Sequence, residues 1–152
     1  MAIRTIVFLI LNFGALAIGS IYTSDGVSSQ WYTMLDKAPW TPPGWVFGAA
    51  WVLIMICFSL YMAFLWKSSV NRDHVAGLYL VQWLLNISWN PVFFYHHKVS
   101  LALILIISLA VMVVIFIVRY WRLVRLQSAF IFPYLIWLLI AISLNWYILF
   151  SN

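Results

Sequence analysis

Five long apolar stretches alternate with short polar connections along the chain, over residues 3–22, 44–66, 75–95, 100–118 and 128–150. Each is near the roughly 20 residues that carry a helix across a 30 Å hydrocarbon layer. The pattern therefore predicts an all-α integral membrane fold, one five-transmembrane-helix bundle over residues 1–152. The connection at 23–43 is the longest and holds Trp31, Tyr32 and Trp40, with Trp45 just beyond it and Pro39, Pro42 and Pro43 in between. Each proline locks a backbone dihedral and removes a donor, so 38–44 cannot continue a helix yet has little freedom. The segment reads as a stiff aromatic lid at one membrane face; an interfacial aromatic belt is the plainer reading of the same rings.

Polar positions inside the spans separate them from one another. The fourth, from Leu101, has one polar residue and one aromatic, and is expected to face lipid over most of its surface. The others carry Asn12 and Ser20; Ser59; Gln82, Asn86, Ser88 and Asn90; and Ser143 and Asn145, which need protein neighbours. Gln82, Asn86 and Asn90 fall at i, i+4 and i+8 along one helix face, with Phe93 on the next turn, and Trp137, Ala141 and Asn145 repeat the interval on the last helix. At 1.5 Å per residue, Trp51 lies roughly 10 Å below the lid end of its helix, and Asn90, Asn86, Asn145 and Ala141 roughly 7 to 14 Å below it. Asparagines at helix contacts often serve only as glue, worth about 0.6 to 2 kcal/mol each. Three helices converging at one depth beneath a stiff cap point instead to a pocket for a large, flat, amphipathic ligand, with Ala141 leaving it room.

Composition sharpens this. The chain is 66% hydrophobic and 7% charged, with mean hydropathy +1.05, where soluble domains carry roughly 25% charge. Its 19% aromatic content exceeds what two interfacial belts need, so some rings should line an interior. The net charge of +5 comes from basic residues scattered over connections, with no basic face or nucleic-acid motif, so no nucleic-acid partner is expected. Arg4, Lys67, Arg72, Arg119, Arg122 and Arg125 fall on one side of a five-span chain, and Lys37 and Lys98 on the other. Positive-inside bias then puts the N-terminus in the cytoplasm and the lid and C-terminus on the opposite face, with labels at Ser29 and Ser69 reporting opposite sides. Arg4 and Ala17-Ile18-Gly19 give the first stretch a likeness to a signal peptide, but its apolar run is long for one and it reads as a retained span.

Absences narrow the chemistry. Asp25, Asp36 and Asp73 are the only acids, all in connections, and no Lys, Arg or His lies deep in a span, which argues against proton relays, voltage sensing and ion-coupled pumping. Paired carboxylates, nucleophilic triads and phosphate-binding loops are missing too. His96-His97-Lys98 occupies a tight interfacial turn rather than a ligand set, so no metal site is expected. The single Cys57 allows no internal disulfide.

Three ordered motifs then carry a resemblance. Trp31-Tyr32, Lys37, Pro39-Trp40-Thr41-Pro42-Pro43, Phe47 and Trp51 form the first; Gln82, Leu85-Asn86, Trp89 and Phe93-Phe94 the second; Pro133-Tyr134, Trp137, Ala141 and Leu144-Asn145 the third. Over nearly its whole length the chain resembles the tryptophan-rich sensory proteins, whose animal relatives are the translocator protein or peripheral benzodiazepine receptor. The resemblance implies a five-helix bundle, commonly a homodimer, that binds porphyrins such as protoporphyrin IX or haem, with no resident cofactor required. The resemblance places these porphyrins and, in animal members, cholesterol and synthetic drug ligands in a pocket under the first loop. By that resemblance Trp51, Asn90, Phe93, Trp137 and Ala141 line the pocket, and Trp31, Trp40, Asn86, Trp89 and Asn145 complete the candidate ligand-binding set. Some bacterial members degrade protoporphyrin in light, which makes Trp51 and Trp137 the candidate catalytic residues of an enzyme reading. A tetrapyrrole-binding sensor or regulator is the favoured function, with the light-driven enzyme and a porphyrin or lipid transporter as alternatives.

Departures from the family pattern limit the transfer. Ala38 replaces a common proline, which is expected to loosen the lid slightly, and Met55 stands where many members have Tyr, removing a hydroxyl contact to ligand. No Lys or Arg follows Arg125, so cholesterol binding is not expected to carry over; Val118 to Arg122 and Val92 to Lys98 match the loose sterol pattern, which is weak. For the homodimer the sequence itself offers only the small-residue spacings Ala15-xxx-Gly19 and Gly44-xxx-Gly48.

Overall fold

The computed structural model describes residues 1–68 and 71–152, which are mostly helical, with no strand among them. Ser69, one of the two labelling positions above, lies outside them. The helices are α1 (Ala2–Val27), α2 (Gln30–Met34), α3 (Gly44–Ser68), α4 (Arg72–Asn90), α5 (Val99–Tyr120) and α6 (Phe132–Ser151). A π-helical turn, Pro91–Tyr95, prolongs α4, and a 3-10 turn, Leu126–Phe130, leads into α6.

Among the described residues four helices are long and apolar enough to cross a membrane: α1, α3, α5, and α6 with its leading turn. The remaining long helix, α4, opens on Arg72-Asp73-His74 and buries Gln82 and Asn86, while Leu80, Val81 and Leu84 stay exposed. Gln82 and Asn86 thus face protein together with Val75 and Tyr79, and the polar residues lower the helix's apolarity as a whole.

The lid differs from the expected loop over 23–43. Helix α1 runs on to Val27, because the hydroxyls of Thr23 and Ser28 bond back to carbonyls three or four residues earlier, which a helix accommodates. Ser29 Oγ then accepts from the Tyr32 amide at 3.2 Å and caps α2, so the lid has a helical first half. The prolines act on its second half, where the Thr41 amide and hydroxyl both donate to the Ala38 carbonyl, at 2.9 and 2.7 Å, across a turn with Pro39 second. Ala38 is buried, so that turn is held by packing as well as by its bonds.

The core sits away from the lid. Ile54, Met55, Phe58, Tyr61, Met62 and Leu65 of α3 meet Ile106, Leu109, Val113 and Phe116 of α5 and Tyr134 and Leu138 of α6. The Phe58 ring lies 5.3 Å from Tyr134, 6.0 Å from Phe116, 6.1 Å from Tyr79 and 6.2 Å from Tyr61. Met55 is fully enclosed here and does not reach the cavity described below, so its exchange for Tyr removes no contact there. Helix α5 leaves most of its residues partly or fully exposed, as expected, and buries one continuous stripe of Ala102, Leu103, Ile106, Leu109, Ala110, Val113, Phe116 and Tyr120. An all-apolar helix carries no polar face to mark which side is inward, so its sequence could not show the stripe. Polar bonds join the helices: Asn12 Nδ2 donates to Ser59 Oγ at 2.8 Å, Tyr79 Oη donates to Asn12 Oδ1 at 2.7 Å, and Gln82 Nε2 donates to Tyr134 Oη at 2.7 Å.

Candidate functional site

Between the lid-end parts of α1, α3, α4 and α6 the side chains do not fill the space, leaving a cavity of about 720 Å³. Small residues make it: Ala15, Gly19, Ser20 and Ser24 on α1, Gly44 and Gly48 on α3, and Ala141 on α6. A Cβ on Gly44 or Gly48 would meet nothing within 4 Å, so these positions give their volume to the cavity. Gly19 has a different task, because a Cβ there would fall 2.5 Å from Asn90 Nδ2. Only glycine lets Asn90 approach α1, where Thr23 Oγ1 donates to Asn90 Oδ1 at 2.8 Å.

One wall is aromatic by virtue of Pro91. With no amide hydrogen it cannot continue the α-helical ladder, and the chain widens into the π turn, with the His96 amide donating to the Pro91 carbonyl five residues back. That turn buries Phe93 and Phe94 under α2, and His97, at φ 54°, reverses the chain into α5. Trp89 stacks on Phe93 at 5.4 Å and 13°. Trp51 and Phe47 of α3 and Leu144 and Ile148 of α6 form other walls, and Tyr32, Lys37, Thr41 and Pro42 form the roof.

Seven of the ten expected ligand-binding residues come together around this space: Trp51, Asn86, Trp89, Asn90, Phe93, Ala141 and Asn145. Trp31, Trp40 and Trp137 do not line it. Trp31 stands one layer out, stacked on His97 at 4.1 Å and edge-on to Phe93 at 5.5 Å. Trp40 is on the outside of α6, 56% exposed, with Nε1 donating to Ser143 Oγ at 3.2 Å and its ring against Tyr147. Trp137 is buried in the wall, and the cavity-lining Phe47 packs edge-on against it at 5.3 Å. Spacing alone put Trp137 on the face of Ala141; a bulky neighbour on α3, which spacing does not reveal, takes the position at the cavity.

The polar groups are few. Trp89 Nε1 and Asn145 Oδ1 are buried with no hydrogen-bond partner, one donor and one acceptor on residues of the lining. Lys37 is the one cation of the lining; its ammonium donates to the Leu35 carbonyl at 3.3 Å and sits 4.7 Å above the Tyr32 ring. Burial raises the Tyr32 phenol above its ordinary pKa, so it stays a neutral hydroxyl beside that cation. No His, Cys or Met lines the cavity, and the described residues contain no cluster of His, Cys, Asp or Glu able to hold a metal ion. The arrangement can hold a flat apolar body between rings while meeting an anionic substituent at the roof.

Sequence reasoning missed the α1 wall, Thr23 and the roof position of Lys37. A signal existed in Ala15, Gly19 and Thr23, which share one face at the helical interval, but the small pair was assigned to a partner helix. Gly19 serves an intramolecular contact with Asn90, and Gly44 and Gly48 border the cavity.

The sequence matches the TspO/MBR family over residues 6–150. It is 32% identical over 135 residues to the tryptophan-rich protein TspO of Archaeoglobus fulgidus, a match covering 88% of this chain and 87% of that one. Protein CrtK of Rhodobacter capsulatus is 30% identical over 132 residues, covering 85% and 80%. The translocator protein of Homo sapiens is 29% identical over 125 residues, covering 80% and 74%. With apolar helices of membrane length and a match over nearly all its residues, the chain belongs to the TspO/MBR family and is an integral membrane protein.

Proposed function

We propose that this chain is a membrane sensor or regulator that holds a tetrapyrrole, protoporphyrin IX or haem, flat in the cavity beneath the lid. The observation that carries the reading is the cavity itself: about 720 Å³, walled by Trp51, Trp89 and Phe93, with Lys37 above and an unmet donor and acceptor at its edge. That volume lies within the roughly 300–1,000 Å³ of small-molecule sites, and other flat hydrophobic drug-like molecules would fit the same chemistry. The rings stack on the macrocycle, Lys37 meets a carboxylate substituent, and Ala141 sets the width. Without His, Cys or Met in the lining, recognition is of the macrocycle rather than a metal, so free-base protoporphyrin and haem should bind within about tenfold of each other. Titration of purified protein in nanodiscs, followed by porphyrin absorption and tryptophan quenching, tests this. A folded Ala141→Phe variant that binds porphyrin like wild type would put the ligand elsewhere.

A second reading, light- and oxygen-dependent loss of the bound porphyrin, is favoured by the position of Trp51 on the wall, where its ring can donate an electron to an excited macrocycle. Trp137 does not line the cavity and packs against the lining Phe47, which makes it the weaker of the two candidates. Illumination with and without oxygen separates turnover from binding.

The membrane arrangement we propose has five spans, with α4 and its π turn as the fifth, the N-terminus in the cytoplasm, and the lid and C-terminus opposite. It is supported by the inward polar face of α4 and by the excess of basic residues at one end. Impermeant labelling at Ser29 and Ser68 in intact cells should give opposite results; equal labelling rejects the topology. A homodimer is proposed on family grounds alone, and a monomer at every protein-to-lipid ratio in sedimentation would end it.

A further inference from the structure

A second hollow lies on the outside of the bundle, between α5 and α6 at the end away from the lid. It is a groove of about 580 Å³ lined by Ile107, Val111, Val114 and Val118 of α5 and Leu135 and Leu139 of α6, with Arg119 as its one charged residue. Ala110, buried at its floor, supplies the depth that a larger side chain would remove. From Ile107 to Arg119 the helix rises about 18 Å, close to the ~15 Å of one leaflet of hydrocarbon. Exposed Trp121, edge-on to Phe132 at 6.3 Å, follows directly and marks the depth of the interface. The charged end of the groove is therefore at headgroup level.

The surrounding charge decides the occupant. Arg119, Arg122 and Arg125 are all exposed, within seven residues of one another, and the one acidic residue at this end is Asp73, at the start of α4. We propose that the groove is a binding site for an anionic phospholipid, one acyl chain lying along the Val and Leu floor and the phosphate held by Arg119 with Arg122 beside it. A guanidinium at the end of an apolar slot satisfies both parts of such a molecule at once, its stem covering apolar surface and its fork meeting phosphate oxygens. A sterol fits less well. The pattern Val118, Tyr120, Arg122 would place an aromatic ring on the ligand, but Tyr120 is only 8% exposed, packs on Phe116 and does not line the groove. A second copy of the chain seated here through a two-fold contact would bring two like-charged arginine clusters together.

The test uses the full-length protein in phosphatidylcholine nanodiscs carrying a minor fraction of phosphatidylglycerol with a photoactivatable acyl chain, and in parallel the same probe as phosphatidylcholine. Crosslinks should concentrate on residues 107–118 and 135–139, with the anionic probe favoured. Arg119→Gln should reduce that preference about fivefold and Arg119→Lys should retain most of it. Thermal unfolding in lipid without the anionic probe checks that the variants are folded; should Arg119→Gln fail, the wild-type ratio of the two probes decides. Equal capture of both lipids, crosslinks spread evenly around the helices, a preference unchanged in Arg119→Gln, displacement by a sterol, or crosslinks to a second copy at these peptides would each overturn the assignment.

Discussion

Between Gly44 and Leu53 no residue of α3 is buried, whereas between Ile54 and Leu65 eight are, so one helix passes from an open wall into a closed core within a single turn. The difference comes from side-chain volume. The closed part brings Phe58, Tyr61 and Met62 into interlocking contact with rings from α4, α5 and α6, and leaves no space. The open part carries Gly44 and Gly48 and presents Phe47 and Trp51 to a cavity. Dense interiors hold a single arrangement because every removed methylene is felt, and a binding cavity is possible only where that density is given up. Stability and ligand recognition are thus placed in series along α3, and each should respond to mutation separately.

The largest effect expected is on stability. Phe58→Ala removes a ring packed among four others and should cost about 3–5 kcal/mol. Phe47→Ala, on the open part, should cost less, about 1–2 kcal/mol, because its ring is only partly buried. Unfolding by denaturing detergent, monitored by helical circular dichroism, measures both. Equal losses would mean that the two parts of α3 are packed alike and that the cavity is not a feature of the protein in a membrane.

Ala141→Phe reverses the pattern. A ring at this position projects into existing space, so the fold should lose no more than about 1–3 kcal/mol while porphyrin affinity falls about 100-fold, near 2.7 kcal/mol. Binding and melting measured on one preparation would show the two effects apart. A loss of stability with affinity intact would place Ala141 in the core rather than at the ligand.

The sequence carried the parts of this contrast that depend on chemistry along one helix. Gln82, Asn86 and Asn90 read as an inward stripe because polar side chains in lipid need partners, and Pro39, Pro42 and Pro43 read as a non-helical cap because proline cannot do otherwise. What depended on the shape of a neighbour was hidden. Nothing in the spacing of Trp137 announces that Phe47 takes its place at the cavity, and Gly19 looks the same whether it meets a second chain or Asn90. The continuation of α1 to Val27 was masked by Thr23, Ser24 and Asp25, residue types that favour turns, although the Thr23 hydroxyl bonds back along the helix. Helix α4 shows the converse: its polar inner face was legible, and the same residues keep it from standing out by apolarity.

Two tryptophans on opposite sides of the cavity wall sharpen the comparison further. Trp51→Phe and Trp137→Phe both keep an aromatic ring, so each should leave porphyrin affinity within about tenfold, or 1.4 kcal/mol. If bound porphyrin is consumed in light, Trp51→Phe should slow that loss strongly and Trp137→Phe only slightly, because Phe47 lies against the second ring. Equal slowing in both would mean that Trp137 reaches the ligand and that Phe47 moves aside.

The smallest effect expected is at the lid's attachment to α6, and it asks whether the open part of the molecule is closed by one unit or several. Two contacts hold the lid's second half to that helix. Asn152 pairs with the backbone of Asp36, accepting from its amide at 2.8 Å and donating to its carbonyl at 3.1 Å, and Trp40 Nε1 donates to Ser143 Oγ. Both are exposed to solvent, so each is worth no more than about 1 kcal/mol, and neither Asn152→Ala nor Trp40→Phe should alter the melting set by the Phe58 core. Both should instead speed porphyrin release by about two- to fivefold, read by stopped-flow displacement. If the turn closed by Thr41 and Ala38 makes the segment between them stiff, the two attachments hold one body. The double variant should then release faster than the product of the single effects, because either contact alone keeps the segment in place. Simple multiplication of the two effects would mean that the Asp36 and Trp40 ends of the lid open independently.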